Sequence, residues 1–394
     1  MKTKLLLAAL LLPFSLSAQG ELGFGETDDS MQSLAERVAN IEQKFKAFNV
    51  YVNFNGNFHA MRNGWDGPTE SEFQAKNLRL EMKGQIGDNL FYRVRHRLNK
   101  PANALHDGLA KATDYAMVGY RFNPQWMVSV GKMGQYFAGF EFDQNAIYVY
   151  QASDINDNAD GSKLGVAVTY SPSKTQQLVL QMTNAYNATL EEEYAGIGTQ
   201  GIAPSHNPFT YVANWSGSFA EGLYRAKAAL VHRSLATNQG STVFTCGQSI
   251  NGDWGRVFLD YACEFDDFDY MRFCSNEVRG FQDGKYMAKG QNWLTDMSYH
   301  GIVARTDVKV GSHLIVWAEG MYQTASCGSV DELDGFRKHY NYMAGVEFVP
   351  NPNYKVRYTL NYQGQYFDYS KRCGLADYST NRIEVGILCR LKCF

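Results

Sequence analysis

The chain has 394 residues, with 37 Lys and Arg against 40 Asp and Glu and a formal net charge of −3. That balance argues against a nucleic-acid binder. It carries 25 Tyr, 24 Phe and 36 Gly but only 9 Pro, and no internal apolar run is long enough for a membrane helix. Such a composition suits a transmembrane β-barrel, with an apolar outer band and aromatic rims; the alternative is a β-rich soluble secreted domain, such as a glycan binder.

The chain opens "MKTKLLLAALLLPFSLSAQG". Lys2 and Lys4 precede the apolar run Leu5 to Leu12, and small residues lead to a cleavage site after Ala18. Residues 1–18 therefore read as a signal peptide, too short to span a bilayer. In residues 19–48 Met31, Leu34, Val38, Ile41, Phe45 and Phe48 recur three and four apart. This predicts a short helix whose seam either joins copies of the chain in a coiled coil or folds back on its own domain.

From residue 49 to 394 the apolar period becomes two. Val52, Phe54, Phe58 and Ala60 share one face, and Tyr51, Asn53, Asn55, Asn57 and His59 the other. The pattern returns at Leu78–Met82, Ala116–Phe122, Leu164–Tyr170, Leu178–Met182, Tyr224–Leu230, Leu314–Tyr322, Tyr342–Phe348, Val356–Tyr362 and Ile383–Leu391. Segments of about 9–11 residues have the length a tilted strand needs to cross a bilayer. Short turns at 85–89, 123–125, 171–174, 216–222, 311–313 and 350–353 alternate with long polar connections near 62–72, 101–112, 134–161, 186–207, 236–295, 323–339 and 364–379. A hidden hairpin around Val257, Leu259 and Tyr261 brings the expected count to about 16 strands, within 14–18. The predicted fold is all-β: a transmembrane antiparallel β-barrel wide enough for a water-filled channel.

By parity the inward set includes Arg79, Lys83, Arg93, Arg95, Arg97, Arg121, Arg225, Lys227, Arg233, Arg305, Lys309, Lys355, Arg357, Arg382, Arg390 and Lys392. The inward acids are fewer: Glu81, Asp307, Glu319, Glu347 and Glu384. The remaining acids sit in expected loops, as in "EEEY" (191–194) and "EFDDFDY" (264–270). In "FYRVRHRLNK" the guanidiniums of Arg93, Arg95 and Arg97 would line up about 7 Å apart, within the Debye length, and repel. Rows of Arg or Lys select anions in pores, and guanidiniums match phosphate oxygens two at a time.

The blocks "AKNLRLEMKGQI", "FYRVRHRL", "VSVGKMGQYFAGFEF" and "YHGIVART", with a C-terminal aromatic, resemble the phosphate-selective porin (O and P) family across the mature chain. The resemblance implies a 16-stranded, usually trimeric outer-membrane barrel that passes small anions by diffusion without a cofactor, surrounded by outer-membrane lipid. It implies that the third long loop, 134–161, folds inward, with Tyr136, Phe137, Phe140, Glu141 and Asp143 at the constriction. It adds Lys132 of the Gly131-Lys132 block to the pore-lining, anion-binding set of Arg79, Lys83, Arg93, Arg95, Arg97, Arg225, Lys227, Lys355 and Arg357. Only Arg93, Arg95 and Arg97 form a ladder-like row, and Asp154, Asp157 and Asp160 make the mouth acidic.

Other readings are a general or sugar-passing porin, and a plugged structural or adhesive barrel working through its loops. No enzyme motif or metal site emerges. "GIGTQG" (196–201) opens no helix, "DINDNADG" (154–161) lacks the twelfth-position Glu of a calcium loop, and His59, His96 and His313 are isolated. Seven Cys are present: Cys246, Cys263, Cys274, Cys327 and Cys373 in expected loops, Cys389 and Cys393 at the end of the last strand. Their pairing does not follow from sequence.

Overall fold

The structure is a computed structural model. It describes residues 48–159, 161–194, 199, 201–279, 286–287, 293–351 and 355–393. The expected signal peptide and nearly all of the expected heptad segment lie outside these residues, as do Asp160 and Phe394.

Sixteen antiparallel strands close into one barrel, each paired with its neighbours in sequence and β1 with β16. They are β1 (Asn49–Asn63), β2 (Thr69–Ile86), β3 (Leu90–Arg97), β4 (Thr113–Asn123), β5 (Trp126–Gly134), β6 (Ser162–Ser173), β7 (Gln176–Asn184), β8 (Phe209–Phe219), β9 (Tyr224–Ala236), β10 (Gln239–Gly252), β11 (Gly255–Phe268), β12 (Thr295–Val310), β13 (Leu314–Cys327), β14 (Arg337–Phe348), β15 (Val356–Tyr369) and β16 (Tyr378–Lys392). The closing register sets Phe58 against Val385 and Asn53 against Arg390, so the apolar parity continues across the seam. A closed barrel leaves no edge strand and satisfies every ladder hydrogen bond, which a bilayer requires.

The alternation sorts as its period demands. Leu180, Ile383 and Val130 are 65%, 55% and 56% exposed on the outer wall, while Asn53, Asn55 and Gln181 are buried on the inner one. The turns that follow β2, β4, β6, β8, β10 and β12 are tight, and Gly311 takes the positive φ of 66° that its turn requires.

Several expectations are corrected. The region 236–295 is not mainly loop: β10 and β11 form a hairpin of 14-residue strands turned at Asp253-Trp254. The β9–β10 connection, on the long-loop side, is only Thr237-Asn238. The 62–72 connection is largely strand, because β1 and β2 extend through it. Cys246 and Cys263 therefore lie in strands, and Cys327 ends β13; all seven Cys are free thiols. The inner wall is also not polar throughout. Val179, Val212, Val231 and Val243 form a buried apolar patch on β7–β10. Consecutive apolar pairs such as Leu178-Val179 were its sequence signature, since a strand buried on both faces loses its alternation.

Candidate functional site

The third long loop, residues 135–161, turns into the barrel. Tyr136 and Phe137 pack on the valine patch. Asn214 Nδ2 donates to Tyr136 O at 2.8 Å and Ala138 N donates to Thr245 Oγ1 at 2.9 Å. A short helix α1 (Phe140–Asp143) then crosses to β11. There Phe140 meets Phe258 with centroids 5.9 Å apart, and Glu141 N donates to Asp260 Oδ2 at 2.7 Å. Asp143 pairs with Lys227 of β9.

The loop next reaches the far wall. Asn55 Nδ2 donates to Ile147 O at 3.1 Å and the Arg357 guanidinium lies 4.4 Å from the Tyr148 ring. Tyr150 stacks on Trp317 at 4.4 Å and donates to Glu347 Oε1 at 2.9 Å. A second helix, α2 (Asp154–Asn158), begins at Asp154, which Arg337 and His339 hold at 2.5 and 2.9 Å. Asp154 is thus a tie between loop and wall rather than part of an open acidic mouth. The loop is closed on itself by Glu141, whose carboxylate accepts from Ser153 N at 2.6 Å and Ser153 Oγ at 2.8 Å. Burial pushes the Glu141 carboxyl up to about 7, against those two donors and with help from neighbouring Asp260.

The wall formed by β1–β4 with β15 and β16 carries the basic row. Arg79 pairs in register with Arg97, Glu81 with Arg95, and Lys83 with Arg93. Arg79 and Arg97 are like charges directly opposite, which is destabilising unless a counter-charge sits between. Asp114 supplies it. Its carboxylate lies 3.0 Å from Arg95 Nε, 2.6 Å from Arg97 Nε and 3.5 Å from Arg79 Nη1. The reason it can do so is a register shift at Arg95/His96. This bulge turns both Asp114 and Tyr115 inward, where strict alternation would send one of them to the lipid. Arg93 and Arg95 also stack on Tyr115 at 4.1 and 4.5 Å. Arg93 pairs with Glu81 at 2.6 Å, and Lys83 and Arg390 flank the Tyr51 ring.

The two walls differ in which partner faces solvent. On the basic wall the cation is in front: Arg97 side chain is 34% exposed against 3% for Asp114, Arg382 19% against 1% for Glu384, and Arg357 18% against 2% for Glu347. Around Arg337 of β14 and Arg305 of β12 the acid is in front: Asp154 is 16% exposed against 4% for Arg337, and Asp307 11% against 3% for Arg305. Ion pairing therefore leaves patches of opposite sign on different parts of the inner wall.

The expected residues divide as follows. Arg79, Lys83, Arg93, Arg95, Arg97, Lys227 and Arg357 face the lumen, and the loop brings Tyr136, Phe137, Phe140, Glu141 and Asp143 into it. Arg225 shares the inner parity of Lys227 at the turn end of β9, and Lys355 lies in the turn before β15. Lys132 is a correction. It pairs in register with Ala116 and Leu164, on the outward parity of Val128 and Val130. Its Nζ lies 3.1 Å from Asp107 of the β3–β4 loop, which buries it. A second correction concerns the acids. Asp114, Asp260, Glu264 and Asp266 are all buried, Asp260 against the loop and Glu264 against Arg233. The acidic run at 264–270 belongs largely to β11, so the lumen is less one-sidedly basic than parity alone suggested. Sequence missed Asp114 because a bulge breaks parity, and Asp260 because β11 was only a suspected strand.

No curated protein matches this chain in sequence. Among solved structures, the outer-membrane channel DcaP of Acinetobacter baumannii is similar with a TM-score of 0.60 at 13% identity, over 87% of this chain and 97% of that one. The outer-membrane-expressed OmpT of Vibrio cholerae has a TM-score of 0.54 at 12% identity, over 88% and 99%. The anion-selective porin from Comamonas acidovorans has a TM-score of 0.54 at 11% identity, over 87% and 99%. These likenesses concern the fold. A family model described as phosphate-selective porin O and P matches residues 48–389, and the chain belongs to that family. It is an outer-membrane β-barrel channel and not an enzyme.

Proposed function

We propose that this member of the family is a diffusion channel that prefers small hydrophilic anions, with phosphate-like oxyanions the best suited. One observation carries the reading: on the wall of β1–β4 with β15 and β16, guanidiniums face the water and their carboxylate partners stand behind them. Pairing would otherwise cancel a basic lumen. Here an ion in the lumen meets Arg97, Arg95, Arg382 and Arg357 first. Asp114 holds Arg95 and Arg97 through their Nε atoms, and a planar guanidinium keeps further N–H groups for an oxyanion. The anion-selective porin of Comamonas acidovorans has the same fold, which is consistent with this reading. Homotrimeric assembly is part of the proposal, since the Vibrio cholerae OmpT has a trimer form on this fold. The N-terminal heptads are proposed to assist it.

The test is the reversal potential of single channels in a KCl gradient, with phosphate then added as a blocker. Wild type is expected to prefer chloride. Arg97→Ala is expected to lower that preference: a unit charge about 4 Å away in water contributes about 1 kcal/mol, roughly fivefold in local anion occupancy. Cation preference in the wild type would overturn the proposal.

A further inference from the structure

Closure holds only as far as neighbouring strands run together. β2 has 18 residues and β3 has 8. Their pairing ends with Arg79 opposite Arg97, after which Leu98 N donates to Leu78 O at 2.8 Å. Above this point β2 keeps β1 on one side, as far as Thr69 opposite Arg62, and has an open edge on the other. The side chain of Asn99 replaces the missing strand over a short stretch. It accepts from Leu78 N at 3.4 Å and donates to Ala75 O and Lys76 O at 3.1 and 3.3 Å. Beyond it, among the described residues, nothing bonds the open edge from Thr69 to Gln74. Alternate residues of an antiparallel strand bond to each neighbour. Ala75 O faces Asn99, so Phe73 and Ser71 also turn their N–H and C=O groups to the open side.

This edge stands at membrane height. Eight residues at about 3.3 Å each, tilted by about 45°, raise β3 by about 19 Å, against an apolar band about 25 Å tall. The top of β3 therefore lies inside the band. The outward residues of β2 above it are still apolar: Ala75, then Phe73, which is 85% exposed and meets Phe58 of β1 with ring centroids 5.0 Å apart. In the adjoining rows Val385 and Ile383 of β16 are exposed on the outer wall. Charges that would blunt an edge are turned away, since Glu70 and Glu72 lie on the inner parity and Glu72 is 3.5 Å from His59. Lipid offers no hydrogen bonds, so an open edge at this depth has to be covered by protein.

The low side of the barrel says which protein. β5 and β7 have 9 residues each, against 16 in β12 and 15 in β16. The notch above β3 is thus the start of a low wall that continues for several strands, a shape suited to a neighbouring barrel. Copies that share a bilayer also share its depth and orientation, so a neighbour presents its own segments at the height of the notch.

We infer that a backbone segment of a second copy of this chain pairs along the open edge of β2, with the Phe73 ring as its apolar anchor. The inference rests on the homotrimer of the proposed function and locates a contact in it. Around a three-fold axis contacts are heterologous, so the covering segment is not the neighbour's own β2.

The experiment uses the full mature protein in outer-membrane vesicles and in mild detergent. A benzophenone-bearing phenylalanine is placed at position 73 and, as a control, at Leu259 on the outer wall of β11. Illumination is expected to join two copies through position 73 and none through position 259. Ser71→Pro removes an edge N–H without touching the bonds to β1. It should weaken association about tenfold, the scale of one net hydrogen bond, whereas Ser71→Ala keeps the N–H and should associate as the wild type does. Phe73→Ala should act in the same direction as the proline variant. Unchanged single-channel conductance confirms that each variant folds. A trimer in which position 73 labels only lipid, or in which Ser71→Pro and Phe73→Ala associate normally, overturns the inference and leaves the trimer standing. A barrel that stays a single copy in vesicles removes the trimer and the inference together. An adduct of position 73 with a protein of another mass overturns the second copy as occupant.

Discussion

Asp114 is the residue on which the basic wall turns. One buried carboxylate lies within 3.5 Å of three guanidiniums, so the cluster keeps a net positive charge while its like charges are held apart. Breaking a buried pair by removing one partner costs about 3–5 kcal/mol. Asp114→Asn should therefore lower the thermal midpoint in detergent while raising chloride preference in the surviving channels. A fall in both would mean that the carboxylate matters to the pore only through folding. Glu141 gives a pH prediction. Its carboxyl is raised by burial from an ordinary 4.5 to about 7, so the neutral form suits the docked loop. That contribution is full below about 4.5 and is lost as pH rises through about 7. Open-channel noise should increase on the alkaline side of that window, and Glu141→Gln, which stays neutral, should flatten the dependence. An unchanged profile in the variant would assign the effect elsewhere.

At the scale of the element, the inward loop is docked by shape as much as by charge. The Tyr150 ring is nearly parallel to Trp317, at 11°, and Asp260 takes the Glu141 N–H in a notch opposite Gly247. A Cβ at position 247 would stand 2.1 Å from Asp260 Oδ1 and 3.2 Å from the Phe140 ring. Gly247→Ala should push Asp260 off the loop at an overpacking cost of about 1–3 kcal/mol, and single-channel recordings should show larger, noisier conductance. Tyr150→Ala should act in the same direction by leaving Glu347 without its hydroxyl donor. Conductance unchanged in both variants would mean that the loop's remaining ties suffice. The sequence showed that 134–161 is a long connection, and only the family resemblance implied that it folds inward. Its partners were not legible, because Asn214, Thr245, Asp260 and Trp317 come from strands far away in the chain.

At the scale of the molecule, closure of sixteen strands makes unfolding cooperative, since no strand can leave without exposing two edges to lipid. Unheated protein should migrate on detergent gels apart from heated protein, and cross-linking in mild detergent should stop at three copies. A ladder that stops at one copy would remove the trimer from the proposal and leave the channel reading intact.

The sequence by itself determined the class of fold, its approximate strand count and which face of most strands meets lipid. It could do so because a bilayer imposes a period of two and a fixed span on every strand, and both are local properties. The exceptions were also local in cause: β11 carries acids on its inner face, so its alternation resembled a polar loop, and Lys132 followed a family-like block rather than its own outward parity. Only the tertiary structure decided how the inner charges are used. Arg97 and Asp114 carry unit charges of opposite sign, and nothing local in the sequence says which stands in front. That order is set by a bulge in β4, the register of β2 on β3 and the depth to which each side chain is buried, and it is this order that leaves the guanidiniums of this wall in front.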